Sequence, residues 1–261
     1  MKKTLIALAV AASAVVSGSA MAWTASGDGG NVNVGGTLTP VDKVIPWEVK
    51  VGAAVTGLDA NIEKGQKEVS IAVNKAIPVL GIRTQTNNVI EGNSAGGVSP
   101  QISYGDALNP QKFRDGVTSL TLDVKDENKT AKIGSLTVDF TAAGVISWKH
   151  PGGNGGAHNA YANSAGHMFF GGIGLDQAGV SGNSVNIAKS FFSEVGDNFN
   201  SQGYEIANKD YSSLGVNGAT YSGYYASGIQ QGKTIKITLD ESAGADEIPW
   251  KATLPVTVSY Q

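Results

Sequence analysis

The chain has 261 residues, 35 of them glycine, with no cysteine and a formal net charge of −3. The lack of cysteine excludes thiol catalysis and cysteine-ligated metal sites. The acidic balance argues against a nucleic-acid partner, which would require a basic face. The many glycine, serine, threonine, asparagine and valine residues favour short strands joined by tight turns.

The first 22 residues have the three parts of a secretory signal peptide. Lys2 and Lys3 precede a short apolar run at 5–16, and small residues follow up to Ala22. The run is too short to span a bilayer, so we predict export and cleavage after Ala22. Cleavage removes two lysines and no acid, so the net charge falls from −3 to −5.

Residues 23–39 form a glycine-rich N-terminal arm. A period of two predicts a strand at 32–38 whose single apolar face carries Val32, Val34, Gly36 and Leu38. The pattern alone leaves two interpretations open. The arm is either the first strand of the chain's own sandwich or a strand offered to another molecule.

The remaining domain, 40–261, contains many short alternating segments. They predict strands at 44–51, 68–73, 77–82, 101–104, 119–124, 132–140, 144–148, 219–229, 234–239 and 252–260. A break in the alternation near Gly134 indicates a β-bulge. Short strands with turn signals between them predict an all-β sandwich.

The section at about 150–215 departs from this pattern and predicts an insertion carrying one or two short helices. A stripe with a spacing of four predicts a helix within 183–199, formed by Ile187, Phe191, Val195 and Phe199.

The sequence indicates no catalytic residue, cofactor or metal site. Ser94 stands in a Gly-x-Ser-x-Gly pattern, but the loop residues that follow it do not suit a nucleophile elbow. The three histidines, His150, His158 and His167, match no local metal-ligand spacing. The acidic turn at 123–128 lacks the glycine and glutamate of a calcium loop. We therefore predict a protein that is not an enzyme.

The C-terminal segment carries the second informative alternation. Its apolar face consists of Leu254, Val256, Val258 and Tyr260. Pro255 has no backbone donor, which suits a sheet edge better than a sheet centre. Proteins usually protect such edges, whereas a fibre subunit can use one to accept a strand from its neighbour.

Several stretches resemble FaeG-type major subunits of enterobacterial fimbriae, and within them the subunits of capsule-like surface antigens. They are MKKTLIALAVAASA at the start, GDGGNVNVGGTLT at 27–39, WEVKVG at 47–52, SPQISY at 99–104, GIQQGKTI at 228–235, and W-x4-PVTVSY at 250–260. The section from about 150 to 215 matches poorly.

The resemblance implies an incomplete immunoglobulin-like sandwich that is completed by a donor strand. Val32, Val34 and Leu38 would fill pockets of the neighbouring subunit, and Gly36 would lie where the groove is too shallow for a side chain. A periplasmic chaperone would pair with the strand carrying Leu254, Val256, Val258 and Tyr260 and hold the terminal carboxylate. An outer-membrane usher would then assemble the fibre on the cell surface. Many pilins carry a glycine where this chain has Ile248, which is a departure from the family pattern.

The resemblance also implies adhesion to host glycans through the insertion. Sugar sites combine aromatic faces with amides, and the candidates are His150, Asn154 and Tyr161. Two alternatives stay open at this point. One is a coat subunit without adhesive activity, and the other is a monomeric periplasmic sugar-binding protein or hydrolase.

Overall fold

The computed structural model describes residues 32–39, 44–93, 97–129 and 131–261. The chain divides into two units, Met1–Lys43 and Val44–Gln261, and we call the second unit the body. In the first unit, residues 32–39 have no regular secondary structure, so the strand predicted at 32–38 is not formed within the single chain. Their side chains are open to solvent, with Val34 exposed over 94% and Leu38 over 97% of its surface. The predicted signal peptide lies outside the described residues.

The body is built almost entirely of strands, as the alternating pattern predicts. Its described residues contain two short 3₁₀ turns, the helix α1 (Ser184–Phe191) and thirteen strands. The strands are β1 (Trp47–Val51), β2 (Glu68–Ala72), β3 (Ile77–Thr84), β4 (Ile90–Glu91), β5 (Pro100–Ser103), β6 (Val117–Asp126), β7 (Lys132–Lys149), β8 (Gly155–Ala160), β9 (Ile206–Asp210), β10 (Thr220–Ile229), β11 (Thr234–Leu239), β12 (Trp250–Ala252) and β13 (Thr257–Tyr260). No helix among the described residues is long and apolar enough to cross a membrane.

Strand β7 takes part in both layers of the body. Its first half pairs with β6 and β11, and these pair in turn with β12 and β2. Its second half pairs with β10, which continues to β3 and β1, and with β8, which continues to β9. Side chains of both halves meet in one core that includes Leu136, Val138, Ile146 and Tyr225. The result is an all-β, immunoglobulin-like sandwich.

Helix α1 covers the outer face of the layer that contains β10. Phe191 and Phe192 pack there with Val145 and Tyr224 in a second apolar cluster. In β10, beneath the helix, Gly228 leaves room for the Phe191 ring. A Cβ at this position would stand only 2.7 Å from that ring. The predicted insertion is therefore packed into the fold rather than appended to it.

The helix predicted within 183–199 covers only the first part of the apolar stripe. Helix α1 ends at Phe191, and Phe192 is extended, with φ −135° and ψ 102°. Turns follow, in which the Val195 N–H donates to the Phe192 carbonyl oxygen at 3.0 Å. All four residues of the apolar stripe nevertheless belong to the second cluster. The spacing of four therefore marked the buried positions correctly, but the helix covers only part of them.

Three strand predictions within the body also differ from the structure. β7 runs without interruption through 141–143, where the sequence suggested two strands. The insertion contributes β8 and β9 to the large sheet in addition to its helix. The last predicted strand, 252–260, is divided into β12 and β13, because residues 253–256 around Pro255 have no strand pairing. The bulge near Gly134 is confirmed: Val124 pairs with Gly134, whereas the next residue, Lys125, pairs with Lys132.

Candidate functional site

The C-terminal segment, residues 249–261, is hydrogen-bonded along one edge. At one end the Glu127 N–H donates to the Pro249 carbonyl oxygen at 3.1 Å, and β12 pairs with β6. At the other end β13 pairs with β5, and Ser99 and Gln261 exchange two backbone hydrogen bonds of 2.7 and 3.1 Å. Residues 249 and 261 therefore both point toward the paired edge.

The opposite edge of this segment has no partner within the described part of the chain. Backbone groups of successive strand residues point to alternate edges. With odd-numbered residues facing β6 and β5, the even-numbered residues from Trp250 to Tyr260 face the other side, where no strand or backbone partner is found among the described residues. We call this side the free edge. Pro255 is odd-numbered, so its missing N–H interrupts pairing with β5 and β6 and leaves every donor of the free edge in place.

The side chains of the same residues form an apolar face that is only half covered. Burial alternates without a break along the segment, with exposed odd-numbered residues between the half-buried Trp250, Ala252, Leu254, Val256, Val258 and Tyr260. All six pack against the main core. The corresponding face of β7 is closed, with Leu136 at 5% and Phe140 at 0% exposure. The contrast shows that the core face along the C-terminal segment is less covered than the face of β7.

The core face is also open at β1. Val49 and Val51 lie opposite Ile82 and Leu80 of β3, and directly opposed residues share a face of the sheet. Ile82 and Leu80 are exposed over only 1% and 0% of their surface, whereas Val49 and Val51 are exposed over 41% and 62%. Of the β1 side chains on the core side, Trp47 is buried at 3% exposure, whereas Val49 and Val51 are left in solvent.

Exposed apolar side chains are concentrated near the N-terminal end of the described chain. Seven of the nine strongly exposed large apolar residues among the described residues lie between 32 and 55. They include Val32, Val34 and Leu38 of the arm. A Cβ added to Gly36 would meet no atom within 4 Å. The exposed apolar side chains of the arm and those of the body's first residues are therefore each candidates for contact with another molecule.

The three residues predicted for glycan contact do not lie together. His150 and Asn154 form the turn between β7 and β8, where the His150 N–H donates to the Asn154 carbonyl oxygen at 2.7 Å. Tyr161 follows the far end of β8. Six residues of extended chain separate Gly155 from Tyr161, which corresponds to about 20 Å. Tyr161 therefore belongs to a different surface from His150 and Asn154.

Tyr161 instead joins an aromatic cluster with His167 and Tyr211. The His167 and Tyr211 rings are stacked with centroids 4.3 Å apart, and Tyr161 meets Tyr211 edge-on at 5.4 Å. The Tyr161 N–H donates to the Asp210 carbonyl oxygen at 3.0 Å, which brings the two tyrosines together. Tyr211 is exposed over 43% of its surface. The sequence suggested His167 only as a possible metal ligand and did not single out Tyr211, because no local pattern connects positions so far apart.

The electrostatics of this cluster favour neutral rings beside negative charge. Burial, together with the nearby Asp210, Tyr211 and Asp176, raises the pKa of Tyr161. Burial also lowers the pKa of His167, which favours the neutral form of its ring. Aromatic faces beside carboxylates are suited to a ligand that has both apolar faces and hydroxyl groups.

The other residues considered from sequence do not form a chemical site. Ser94 lies outside the described residues. His158 is buried within β8, and burial lowers its pKa to about 4. Within the ranges that the structure describes, no group of three or more acidic or histidine side chains is placed to hold a metal ion.

Comparison with known proteins agrees with this architecture. The sequence matches the K88-type family described as "Fimbrial, major and minor subunit" over residues 1–261. It is 30% identical to the K88 fimbrial protein AB of Escherichia coli over 295 aligned positions, which cover all of both chains. It is 29% identical to the K88 fimbrial protein AC over 293 positions and 26% identical to the F41 fimbrial protein over 281, both of Escherichia coli and again with full coverage.

The sandwich fold and these full-length matches define the class of the protein as a structural subunit of surface fimbriae. More particularly, the chain belongs to the K88-type family of major and minor fimbrial subunits. The resemblance to FaeG-type subunits is thereby confirmed, while the closer likeness to capsule-like antigen subunits stays a prediction. A fimbrial subunit assembles with copies of itself into a fibre on the cell surface, which requires export. It is a structural protein and not an enzyme.

Proposed function

We propose that this subunit polymerises by donor-strand exchange. The arm, residues 23–39, of one copy lies along the free edge of the next copy and completes its sandwich. One observation carries the proposal: six successive core-facing residues, from Trp250 to Tyr260, are half-buried beside an edge without a partner. An added strand satisfies the free backbone groups and covers the apolar face in a single step.

The arm has the length and pattern for this role. Residues 32–38 span about 20 Å when extended. This length is comparable to that of the C-terminal segment from the start of its unpaired stretch, at residue 253, to Tyr260. Once the arm is extended as a strand, Val32, Val34 and Leu38 share one face, and each contributes about 1.5–3 kcal/mol when fully buried. Each ladder hydrogen bond adds about 1 kcal/mol. Gly36 lies on the same face, where it suits a shallow part of the groove.

Before assembly, the free edge needs protection from other strands. We infer that the exported subunit passes through the periplasm, where a chaperone occupies this edge until an outer-membrane usher delivers the next arm. Leu254, Val256, Val258 and Tyr260 are the chaperone-facing residues in this scheme. Ile248, which stands where many pilins have a glycine, precedes these residues.

Moving the arm within the chain tests the proposal. The arm, 23–39, is removed from the N-terminus and joined after Gln261 through a short flexible linker, so that pairing becomes intramolecular at millimolar effective concentration. We expect a soluble monomer that folds without chaperone and does not polymerise, whereas the unaltered mature chain aggregates or is degraded in the cell and stays monomeric only when it is purified and dilute. If the unaltered chain is a stable monomer when it is produced alone in the cell, the sandwich is already complete and the proposal is wrong.

We further propose that the fibre is adhesive and binds host-cell glycans through the aromatic cluster. The exposed Tyr211 ring offers an apolar face for a sugar, and the neighbouring carboxylates can accept its hydroxyl hydrogen bonds. His150 and Asn154 remain a separate candidate surface. A glycan array separates the two, because Tyr211→Ala should abolish binding and His150→Ala should leave it unchanged. The reverse outcome would assign the site to the β7–β8 turn, and no binding by any form would leave a coat subunit.

A further inference from the structure

A ladder of hydrogen-bonded segments connects the free edge to the interior of the insertion. Its first rung is β13, which pairs with β5. On its other side, β5 is bonded to residues 167–170. The Phe169 N–H donates to the Pro100 carbonyl oxygen at 2.7 Å, and the Ile102 N–H donates to the Phe170 carbonyl oxygen at 2.8 Å. Strand β5 is therefore shared between the C-terminal segment and the insertion.

Residues 167–170 are bonded in turn to residues 212–213, which lie next to the aromatic cluster. The Met168 N–H donates to the Ser212 carbonyl oxygen at 2.9 Å, and His167 forms an antiparallel bridge with Ser213. His167 belongs to the third segment of the ladder, and Tyr211 directly precedes the fourth. The two stacked rings of the cluster are thus held by backbone segments that lie two and three places from β13.

The side chain of Gln101 strengthens the connection between β5 and residues 167–170. Its side chain is 8% exposed, and its Nε2 donates to the His167 carbonyl oxygen at 2.9 Å and to the Ser99 carbonyl oxygen at 3.2 Å. Its Oε1 accepts the Gly166 N–H at 3.1 Å. One buried amide therefore ties the start of β5 to the segment that carries His167.

The backbone at Phe169 is expected to change conformation when β5 loosens. Its φ is +68°, a left-handed conformation that is unfavourable for a bulky residue. The ring is fully buried and is packed edge-on to Trp47 at 5.9 Å and stacked on Tyr225 at 5.5 Å. Together with the hydrogen bond to Pro100, these contacts keep the backbone in a conformation that it would otherwise leave.

We propose that occupation of the free edge orders the aromatic cluster through this ladder, with Gln101 as the positioning residue. The inference rests on donor-strand exchange as the means of polymerisation. With the edge empty, β13 is paired on one side and opens readily, and each opening frees one side of β5. With the edge filled, β13 becomes a central strand and holds β5 against 167–170. By linkage, a ligand bound at the cluster strengthens arm binding by the same factor.

Hydrogen exchange resolved by fragment mass spectrometry tests the inference. The full mature chain, kept monomeric by dilution, is compared with and without an excess of a synthetic peptide of residues 27–39. We expect the peptide to slow exchange in β13 and β5, and also at 167–170, by about tenfold or more. Unchanged exchange at 167–170 despite protection of β13 would overturn the coupling and leave donor-strand exchange standing. If the peptide protects nothing, donor-strand exchange fails and the coupling fails with it.

A matched pair of variants tests the role of Gln101. Gln101→Leu should still bind the peptide and protect β13, but the protection should no longer reach 167–170. Thr84→Val is the control, because it removes a buried side-chain bond from Thr84 to the Asn198 carbonyl oxygen that lies outside the ladder. It should transmit protection as the unaltered chain does. Full transmission in Gln101→Leu would refute the role of this residue, and if that variant fails to fold, the comparison in the unaltered chain decides the coupling.

Discussion

Val258 offers a direct test of the half-covered face, because its neighbour Ser259 points the other way. Val258 lies in β13 opposite Ile102, which is 5% exposed, and it is half-buried, whereas Ser259 is exposed. Val258→Asp places a carboxylate on the core-facing side. Ser259→Asp adds the same charge to the same strand on its outer side.

The two variants should differ far more in the fibre than in the free subunit. Full burial of a valine contributes about 1.5–3 kcal/mol, so a half-buried one contributes about 1 kcal/mol to the free subunit. Val258→Asp should therefore lower the free energy of unfolding by about 1–2 kcal/mol, including the lower strand preference of aspartate. Once an arm covers the position, the carboxylate is buried without a partner, at a cost of several kcal/mol. Ser259→Asp should stay within about 0.5 kcal/mol in both states.

Two measurements separate these contributions. Urea unfolding of the purified subunit gives the first, and binding of the 27–39 peptide gives the second. A loss of about 4 kcal/mol corresponds to roughly a thousandfold weaker peptide binding, so Val258→Asp cells should carry no fibres and little periplasmic subunit. If Val258→Asp binds the peptide as tightly as Ser259→Asp does, Val258 does not line the groove and the proposed use of the free edge is wrong.

The arm and a buried histidine supply two further predictions. A Cβ at Gly36 or Gly35 meets no atom within 4 Å, so neither Gly36→Val nor Gly35→Val should alter folding of the subunit. Gly36→Val should block assembly by overpacking the groove, by about 1–3 kcal/mol or more, while Gly35→Val assembles; fibres of normal length from Gly36→Val would place Gly36 away from the groove. Burial lowers the pKa of His158 from 6.5 to about 4. Because the unfolded chain then binds the proton that the folded chain rejects, stability should fall as pH drops from 6.5 to 4, by about 2 kcal/mol between pH 7 and 5. Urea titrations of His158→Gln should lack this loss, and an equal loss in that variant would assign the pH dependence to another group.

Much of the architecture could be predicted because it follows from local periodicity. The alternation in the regions that became β2, β6 and β11 identified strands and their buried faces, and the stripe from Ile187 to Phe199 identified residues that pack together. The predictions failed where pairing partners decide the boundaries. β7 continues through 141–143 because β10 is hydrogen-bonded along that stretch. β8 and β9 were missed because neither has a strong alternation, and the sheet beside them supplies their partner.

The sequence by itself determined which residues of the C-terminal segment share a face, since a period of two is a property of the strand alone. It also predicts that Val32, Val34, Gly36 and Leu38 share one face once the arm is extended as a strand. Only the tertiary structure decided that β5 and β6 occupy the same edge of the C-terminal segment, which leaves the other edge free. It likewise brought Tyr161, His167 and Tyr211 together and separated Tyr161 from His150. The reason is physical: side-chain alternation is set by backbone geometry within a few residues, whereas the choice of partner depends on long-range contacts whose energies come from packing the whole core.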